Sequence, residues 1–207
     1  MNSIQLARKV ILFEAKALEL VADQLDQDFT SAVQLLTACK GTVVVSGVGT
    51  TGIVARRFAH LLCNVGCPAL FLHAGDSLHG SSGAVKEVDL LFLLSKTGET
   101  RETCSLAKIV QPRGTPIISL TAAPGSTIAR LSQVVIVVKT PSEVDPYNGL
   151  MGVGSSLAME SVCDALVFNV LETKGTPQER FISGHPGGII DTLSRENSEK
   201  SSGKLAE

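Results

Sequence analysis

Thr42-Val-Val-Val-Ser-Gly-Val-Gly-Thr-Thr-Gly52 decides the fold. The β-branched run Thr42–Ser46 suits a short buried strand. Three glycines then make a turn, and apolar residues at helical spacing follow from about Thr51 to Val65. Strand, turn and helix in that order open a parallel α/β sheet. Downstream, the pattern repeats. Ala69–His73 reads as a second strand, and Asp89–Ser95, apolar on both faces, as a third and central one. A helix from about Glu99 to Val110, a strand at Pro116–Thr121, a short helix at Thr127–Leu131 and a strand at Val134–Val138 follow. The expected fold is a three-layer, doubly wound open sheet of five parallel strands flanked by helices, with ligands bound where strands feed helices.

Upstream, apolar positions Leu6, Val10, Phe13, Ala17, Leu20 and Val21 place a helix over about Ser3–Leu25. A second helix over about Phe29–Cys39 completes a hairpin, with Gly41 expected as a left-handed stop. A long apolar helix spans about Gly154–Glu172, Gly175-Thr-Pro177 ends it, and a short element carries Phe181–His185. This gives one domain over residues 1–190, with the hairpin at 1–40 and the α/β core at 41–190. The polar, Ser-rich stretch 191–207 is expected to be a solvated tail.

Composition removes several classes of function. Eighteen Lys and Arg against 20 Asp and Glu leave no basic excess of the kind a nucleic-acid surface needs. Aromatics are 4%, with no Trp and one Tyr, so stacking platforms for bases are not expected. Charged residues interrupt the N-terminal apolar positions, and no stretch reaches the length of a membrane span, so a cytoplasmic location is expected. The five cysteines (Cys39, Cys63, Cys67, Cys104, Cys163) form no CxxC pair and read as buried, inert thiols.

The glycine turn has two readings. Gly47-x-Gly49-x-x-Gly52 matches a dinucleotide fingerprint literally, but that motif wants an acidic residue closing the second strand, and His73 stands there. The rival reading is a phosphate cradle at a helix start. Ser95-Lys-Thr-Gly-Glu-Thr100, at the end of the central strand, favours it. Ser95, Thr97 and Thr100 supply three hydroxyls within six positions, whereas capping a helix needs one. A sugar monophosphate has a use for this second cradle; a dinucleotide has none.

GVGTTG after the first strand, SKTGET after the third and SGHPGG at 183–188, in that order, resemble the sugar isomerase (SIS) domain. The likeness is strongest to arabinose-5-phosphate isomerases and runs from about Gln34 to Ile190. It includes LHAGDSLHGSSG (72–83) and SEVDPYNGL (142–150). The resemblance implies a five-stranded parallel sheet and an aldose–ketose isomerase that works through an enediol, without redox cofactor. It places the substrate phosphate on Ser95, Thr97 and Thr100, helped by Thr51 and the backbone of Gly47, Gly49 and Gly52. Glu143 then corresponds to a proton shuttle between C1 and C2, His185 to a ring-opening or acid–base histidine, and Glu99 and His79 to further active-site groups. In relatives such histidines reach the site from a neighbouring subunit, so a homodimer or homotetramer with shared sites is expected. His73 is read as structural, and because His73 and His79 lack a third ligand, no metal is expected.

Two departures stand out. Thr50 occupies the place of a family Lys, as in the isomerase half of glucosamine-6-phosphate synthase, whose turn carries hydroxyls. Lys96, where Asn or Gln is common, is a candidate to restore the missing cation toward phosphate. The chain also stops about 17 residues past Ile190, which suggests a short form without the paired CBS regulatory modules of many relatives. Two other readings stay open beside the isomerase. One is a phosphosugar sensor, which would want a basic DNA-binding segment where residues 1–40 offer only Arg8, Lys9, Lys16 and Lys40. The other is a lyase or deaminase acting on an amino-sugar or sugar-acid phosphate.

Overall fold

The structure, a computed structural model, describes residues 1–186 and Thr192. The tail expected at 191–207 therefore lies outside the described residues except for Thr192, as do Gly187 and Gly188 of the SGHPGG motif. Helices α1 (Ser3–Ala22) and α2 (Gln27–Ala38) form the hairpin. Asn2 and Gln5 exchange side-chain and backbone bonds at the start of α1, and Asp26 caps α2, so both helices have their leading amides partly satisfied. The core then runs β1 (Val43–Ser46), α3 (Thr50–Asn64), β2 (Ala69–Phe71), α4 (Ala74–Ser77), β3 (Leu90–Leu94), α5 (Arg101–Val110), β4 (Ile117–Thr121), α6 (Thr127–Leu131) and β5 (Val134–Val137). A short turn of helix, α7 (Pro146–Gly149), leads into α8 (Gly154–Lys174), and α9 (Gln178–Ser183) follows.

The strands lie parallel in the order β2-β1-β3-β4-β5, which puts β1 and β3 side by side with Ser46 opposite Leu93. Every residue of β1, β3 and β4 is buried, as both-face apolar strands require. One face packs on α2, α3 and α8, where the Phe58 and Phe92 rings meet edge-on with centroids 4.9 Å apart. Fully burying each such ring stabilises the fold by about 1.5–3 kcal/mol. The other face is covered by α5 and α6 through Leu106, Val110 and Ile128.

Three details differ from the sequence reading. First, α1 ends at Ala22, and its apolar stripe is mostly outside: Ala17 and Val21 are buried while Ile4, Leu6, Val10, Ile11, Leu12 and Phe13 are exposed. Second, Gly41 has no left-handed φ; it is needed because a Cβ there would run into Asp89 Oδ1. That carboxylate accepts from Thr42 N (2.8 Å) and Lys86 N (2.7 Å), tying the start of β1 to the loop before β3. Third, Cys63 is exposed and Cys39 half-buried, while Cys67, Cys104 and Cys163 are buried. Burial pushes the Cys67 thiol up to about 11 and raises that of Cys163 too. Among the described residues, no helix is long and apolar enough to cross a membrane.

Candidate active site at the β1 and β3 turns

Because β1 and β3 are parallel neighbours, the turns that follow them emerge together, about 5 Å apart, at one edge of the sheet. In the first turn, a Cβ on Gly47 would come within 2.8 Å of Thr51 O, and one on Gly52 within 2.9 Å of Gly47 O. The chain therefore crosses itself where only glycine fits. Gly49 sits at φ 61 as the N-cap of α3 and supplies no side-chain bond to it. The positive end of α3 thus points into the turn, as anion sites require. Thr51 Oγ1 donates back to Val48 O at 2.9 Å and stiffens the turn.

The second turn is drawn around Ser95, which is only 2% exposed. Its Oγ accepts from Gly98 N at 3.0 Å and shares a 2.9 Å hydrogen bond with Thr100 Oγ1. Thr97 stays exposed, with Oγ1 accepting from Glu99 N at 3.3 Å. Glu99 reaches sideways: its carboxylate accepts from Thr127 N at 2.7 Å, at the start of α6. Those bonds from Thr127 lower the Glu99 carboxyl below its ordinary range.

Lys96 points to a third segment, the loop between β5 and α8. Its Nζ donates to Asp145 Oδ2 at 2.7 Å and to Gly149 O at 2.8 Å, which uses two of the three ammonium donors. Asp145 Oδ1 accepts from Val153 N (2.7 Å) and Ser155 N (3.0 Å), so the carboxylate also holds the start of α8. Its side chain is wholly buried, against 32% exposure for Lys96. Burial pushes this carboxyl up, but the bonds from Lys96, Ser155 and Val153 outweigh it and leave it below the usual carboxylate value. Tyr147 (φ 56) and Asn148 (φ 54) lie in the left-handed region between these anchor points. Farther along, a Cβ on Gly152 would stand 3.3 Å from Thr50 Oγ1, so the loop touches both turns.

The depressed Asp145 carboxyl makes stability depend on pH in one direction. A carboxyl whose folded pKa lies below its unfolded value of about 3.9 stabilises the fold above that pH, and the effect is lost as pH falls through the folded value. We expect the wild type's stability advantage over Asp145→Asn, measured by urea titration, to be level from about pH 8 to about pH 5. It should shrink below about pH 4. An advantage that declines already between about pH 7 and about pH 5 would contradict the assignment.

The remaining sequence candidates are placed as follows. Glu143 lies in the short turn Ser142–Val144 and is exposed; its Oε2 accepts from Ser142 Oγ at 3.3 Å. It lines a cavity of about 300 Å³ together with Lys9 and Phe13 of α1 and Val153 at the start of α8. His79 is exposed just after α4, with His73 Nδ1 and Asp76 Oδ2 nearby at 3.9 Å from each other. His185 turns back on its own helix: Nδ1 lies 2.7 Å from Phe181 O, and its ring centroid is 4.3 Å from that of Phe181. Arg180 in the same helix packs against Gly66, and Thr176 Oγ1 donates to Val65 O, at the C-terminal end of α3. The glycine turn is at the other end of α3, on the order of 20 Å away at about 1.5 Å per residue. Within the chain, His185 is therefore not brought to the two turns. Among the described residues, no three His, Cys, Asp or Glu side chains converge as a metal site.

Comparison with known proteins settles the family. The SIS domain model matches residues 35–168, which include both turns and the anchoring loop. The chain belongs to the SIS domain family. Arabinose 5-phosphate isomerase KdsD of Escherichia coli K12 is 33% identical to this SIS chain over 186 residues, covering 90% of it and 56% of that protein. The KdsD of Pseudomonas aeruginosa is 32% identical over 190 residues, covering 92% of the chain and 58% of the relative. The chain thus spans a little over half the length of these curated relatives. An E. coli CFT073 protein solved in complex with arabinose 5-phosphate superposes with TM-score 0.85 and 32% identity, covering 90% of this SIS chain and 100% of that one. Sequence reasoning singles out Glu143 in SEVDP but passes over Asp145 two residues on. The signal that points to it is the paired oddity of a Lys in the SKTGET turn and an Asp before Pro146, since a buried cation-bearing turn wants a carboxylate partner.

Proposed function

We propose that this SIS protein is an aldose–ketose isomerase acting on a sugar phosphate of the arabinose 5-phosphate type. The observation that carries the reading is the two adjacent turns, one opening the positive end of α3 and one lined by Ser95, Thr97 and Thr100. The likeness, over nearly the whole chain, to a protein solved with arabinose 5-phosphate supports it. The phosphate rests on the hydroxyls of Ser95, Thr97 and Thr100, helped by Thr51, whose hydroxyl turns from Val48 O to donate to it, and by backbone amides of the Gly47–Gly52 turn. Anchored there, the open-chain sugar presents C1 and C2 to a base, and remote binding energy does the positioning. The Glu143 carboxylate removes the proton from C2 of the aldose, leaving an enediolate, and returns it to C1 to give the ketose. Alongside, an acid–base group takes the proton from the O2 hydroxyl and delivers one to O1, so that O1 ends as the hydroxyl and C2 as the carbonyl. His185 takes that role and the ring-opening step, supplied by a neighbouring subunit, with His79 beside it. The exposed apolar residues of α1 provide the face for such an assembly. Glu99, fixed at the head of α6, keeps the SKTGET turn aligned beside the sugar. The reaction moves protons only and calls for no cofactor.

Incubating the protein with arabinose 5-phosphate and a panel of ketose phosphates in deuterated water tests the reading. The expected result is interconversion with deuterium entering C1 of the ketose or C2 of the aldose. Tight binding without exchange would replace the isomerase by a sensor. Release of ammonia from an amino-sugar phosphate, or of an elimination product from a sugar-acid phosphate, offered in parallel, would replace it by a deaminase or lyase.

A further inference from the structure

We infer that Lys96 and Asp145 are a positioning pair that clamps the β5–α8 loop onto the phosphate turn and so fixes Glu143. The catalytic half of this inference rests on the isomerase reading; the structural half does not. The start of the loop is held by the two bonds that Lys139 exchanges with Gln24 and by Val144, buried against Gly154, but its tip is exposed. Tyr147 is 76% and Leu150 87% exposed, and Tyr147 and Asn148 occupy the left-handed region, which side chains other than glycine adopt at a cost. What keeps the segment in this shape sits at its base. The buried Asp145 carboxylate takes bonds from the first amides of α8 on one oxygen and from Lys96 on the other. Lys96 in turn also holds Gly149 O. The backbone of Lys96 is itself fastened to β4, its carbonyl accepting from Ala122 N and Thr121 Oγ1. Sheet, phosphate turn and loop are thereby joined through one side chain.

Glu143 lies two residues before Asp145, and its neighbour Ser142 packs against the position of Gly149. A Cβ there would lie 3.5 Å from Ser142 Cβ and 3.9 Å from Lys96 Nζ. Releasing the ion pair loosens the segment on the Asp145 and Gly149 side of Glu143, while leaving Ser95, Thr97 and Thr100 in place. The charge on Lys96 is thus engaged by Asp145 rather than by the substrate phosphate. Loss of the pair then lowers turnover rather than affinity.

The chain has one Tyr and no Trp, so tyrosine emission reports on this loop directly, whatever the enzyme does. The test compares Lys96→Met, Asp145→Asn, the double variant and Lys96→Arg by Tyr147 fluorescence anisotropy and by arabinose 5-phosphate kinetics. The expected result is lower anisotropy in both single variants and in the double, with Lys96→Arg restoring it. Turnover falls about 10–100-fold with KM within about threefold. The double variant is no slower than the worse single, because both remove one interaction. Should Asp145→Asn fail to fold, Lys96→Met and Lys96→Arg carry the test alone. Unchanged anisotropy in Lys96→Met overturns the inference, and so does a raised KM with turnover intact, which would make Lys96 a phosphate ligand. If the wild type turns over no sugar phosphate, the isomerase reading fails while the anisotropy still decides whether the clamp exists.

Discussion

Glu143→Gln is expected to lower isomerisation by about 10²–10⁴-fold, the usual contribution of a positioned acid–base group, while sugar-phosphate binding stays within about threefold. The amide keeps the shape and the bond to Ser142 Oγ but cannot take a carbon-bound proton. Retained binding is expected because the phosphate anchor proposed above uses other elements, the turns after β1 and β3. Deuterium exchange into the sugar should vanish together with turnover; exchange at the wild-type rate would remove Glu143 from the mechanism. The same variant also tests where His185 acts. If the histidine crosses to a neighbouring subunit, mixing inactive Glu143→Gln with inactive His185→Ala should restore about a quarter of the sites in random dimers. The far-end position of α9 relative to the glycine turn is what makes this complementation expected. No recovery after subunit exchange would place both groups in one chain.

Gly98→Ala is expected to be the most damaging Gly→Ala change among the described residues, since it combines a positive φ with the shortest collision. Gly98 lies at φ 66, where a β-carbon costs about 1–2 kcal/mol. Its Cβ would also collide with both Oγ and Cβ of Ser126, which is almost fully buried at the head of α6, and come within 3.1 Å of Thr121 Oγ1. Overpacking of this kind adds about 1–3 kcal/mol, for a total of about 2–5 kcal/mol. The turn distorts at the bond from Gly98 N to Ser95 Oγ, so sugar-phosphate affinity should fall together with the urea midpoint. Adding Ser126→Gly removes the collision but not the φ strain. The double variant should therefore recover about half of the lost stability. A wild-type midpoint in Gly98→Ala alone would show that the turn has another conformation available.

Much of this architecture is legible in the sequence because it is local. Thr42–Ser46 is β-branched, Asp89–Ser95 is apolar on both faces, and helical spacing takes over after each turn; the five strands and the long helices follow, with boundaries moved by up to three residues. The two turns after β1 and β3 are legible for the same reason, since each is six residues of uninterrupted chain. What escapes depends on contacts between distant segments. Gly41 looks like a helix stop, yet its real constraint is Asp89, in the loop before β3. Lys96 looks like a free cation in a phosphate loop, yet it is paired with Asp145, 49 residues away. Cys63 lies among apolar neighbours in sequence, but its side of α3 faces out. The apolar stripe of α1 is plain as a pattern, but a periodicity does not say whether its own subunit covers it.

The span between Lys96 and its partner has a consequence for synthesis. The SKTGET turn leaves the ribosome well before Asp145, Val153 and Ser155 do, by several seconds at about 5–20 residues per second. During that interval β1 and β3 can pair, but the ammonium has no counter-charge and α8 has no anchored start. A nascent chain arrested short of Ser155 therefore carries both turns without the bonds that fasten the start of α8 to them through Asp145.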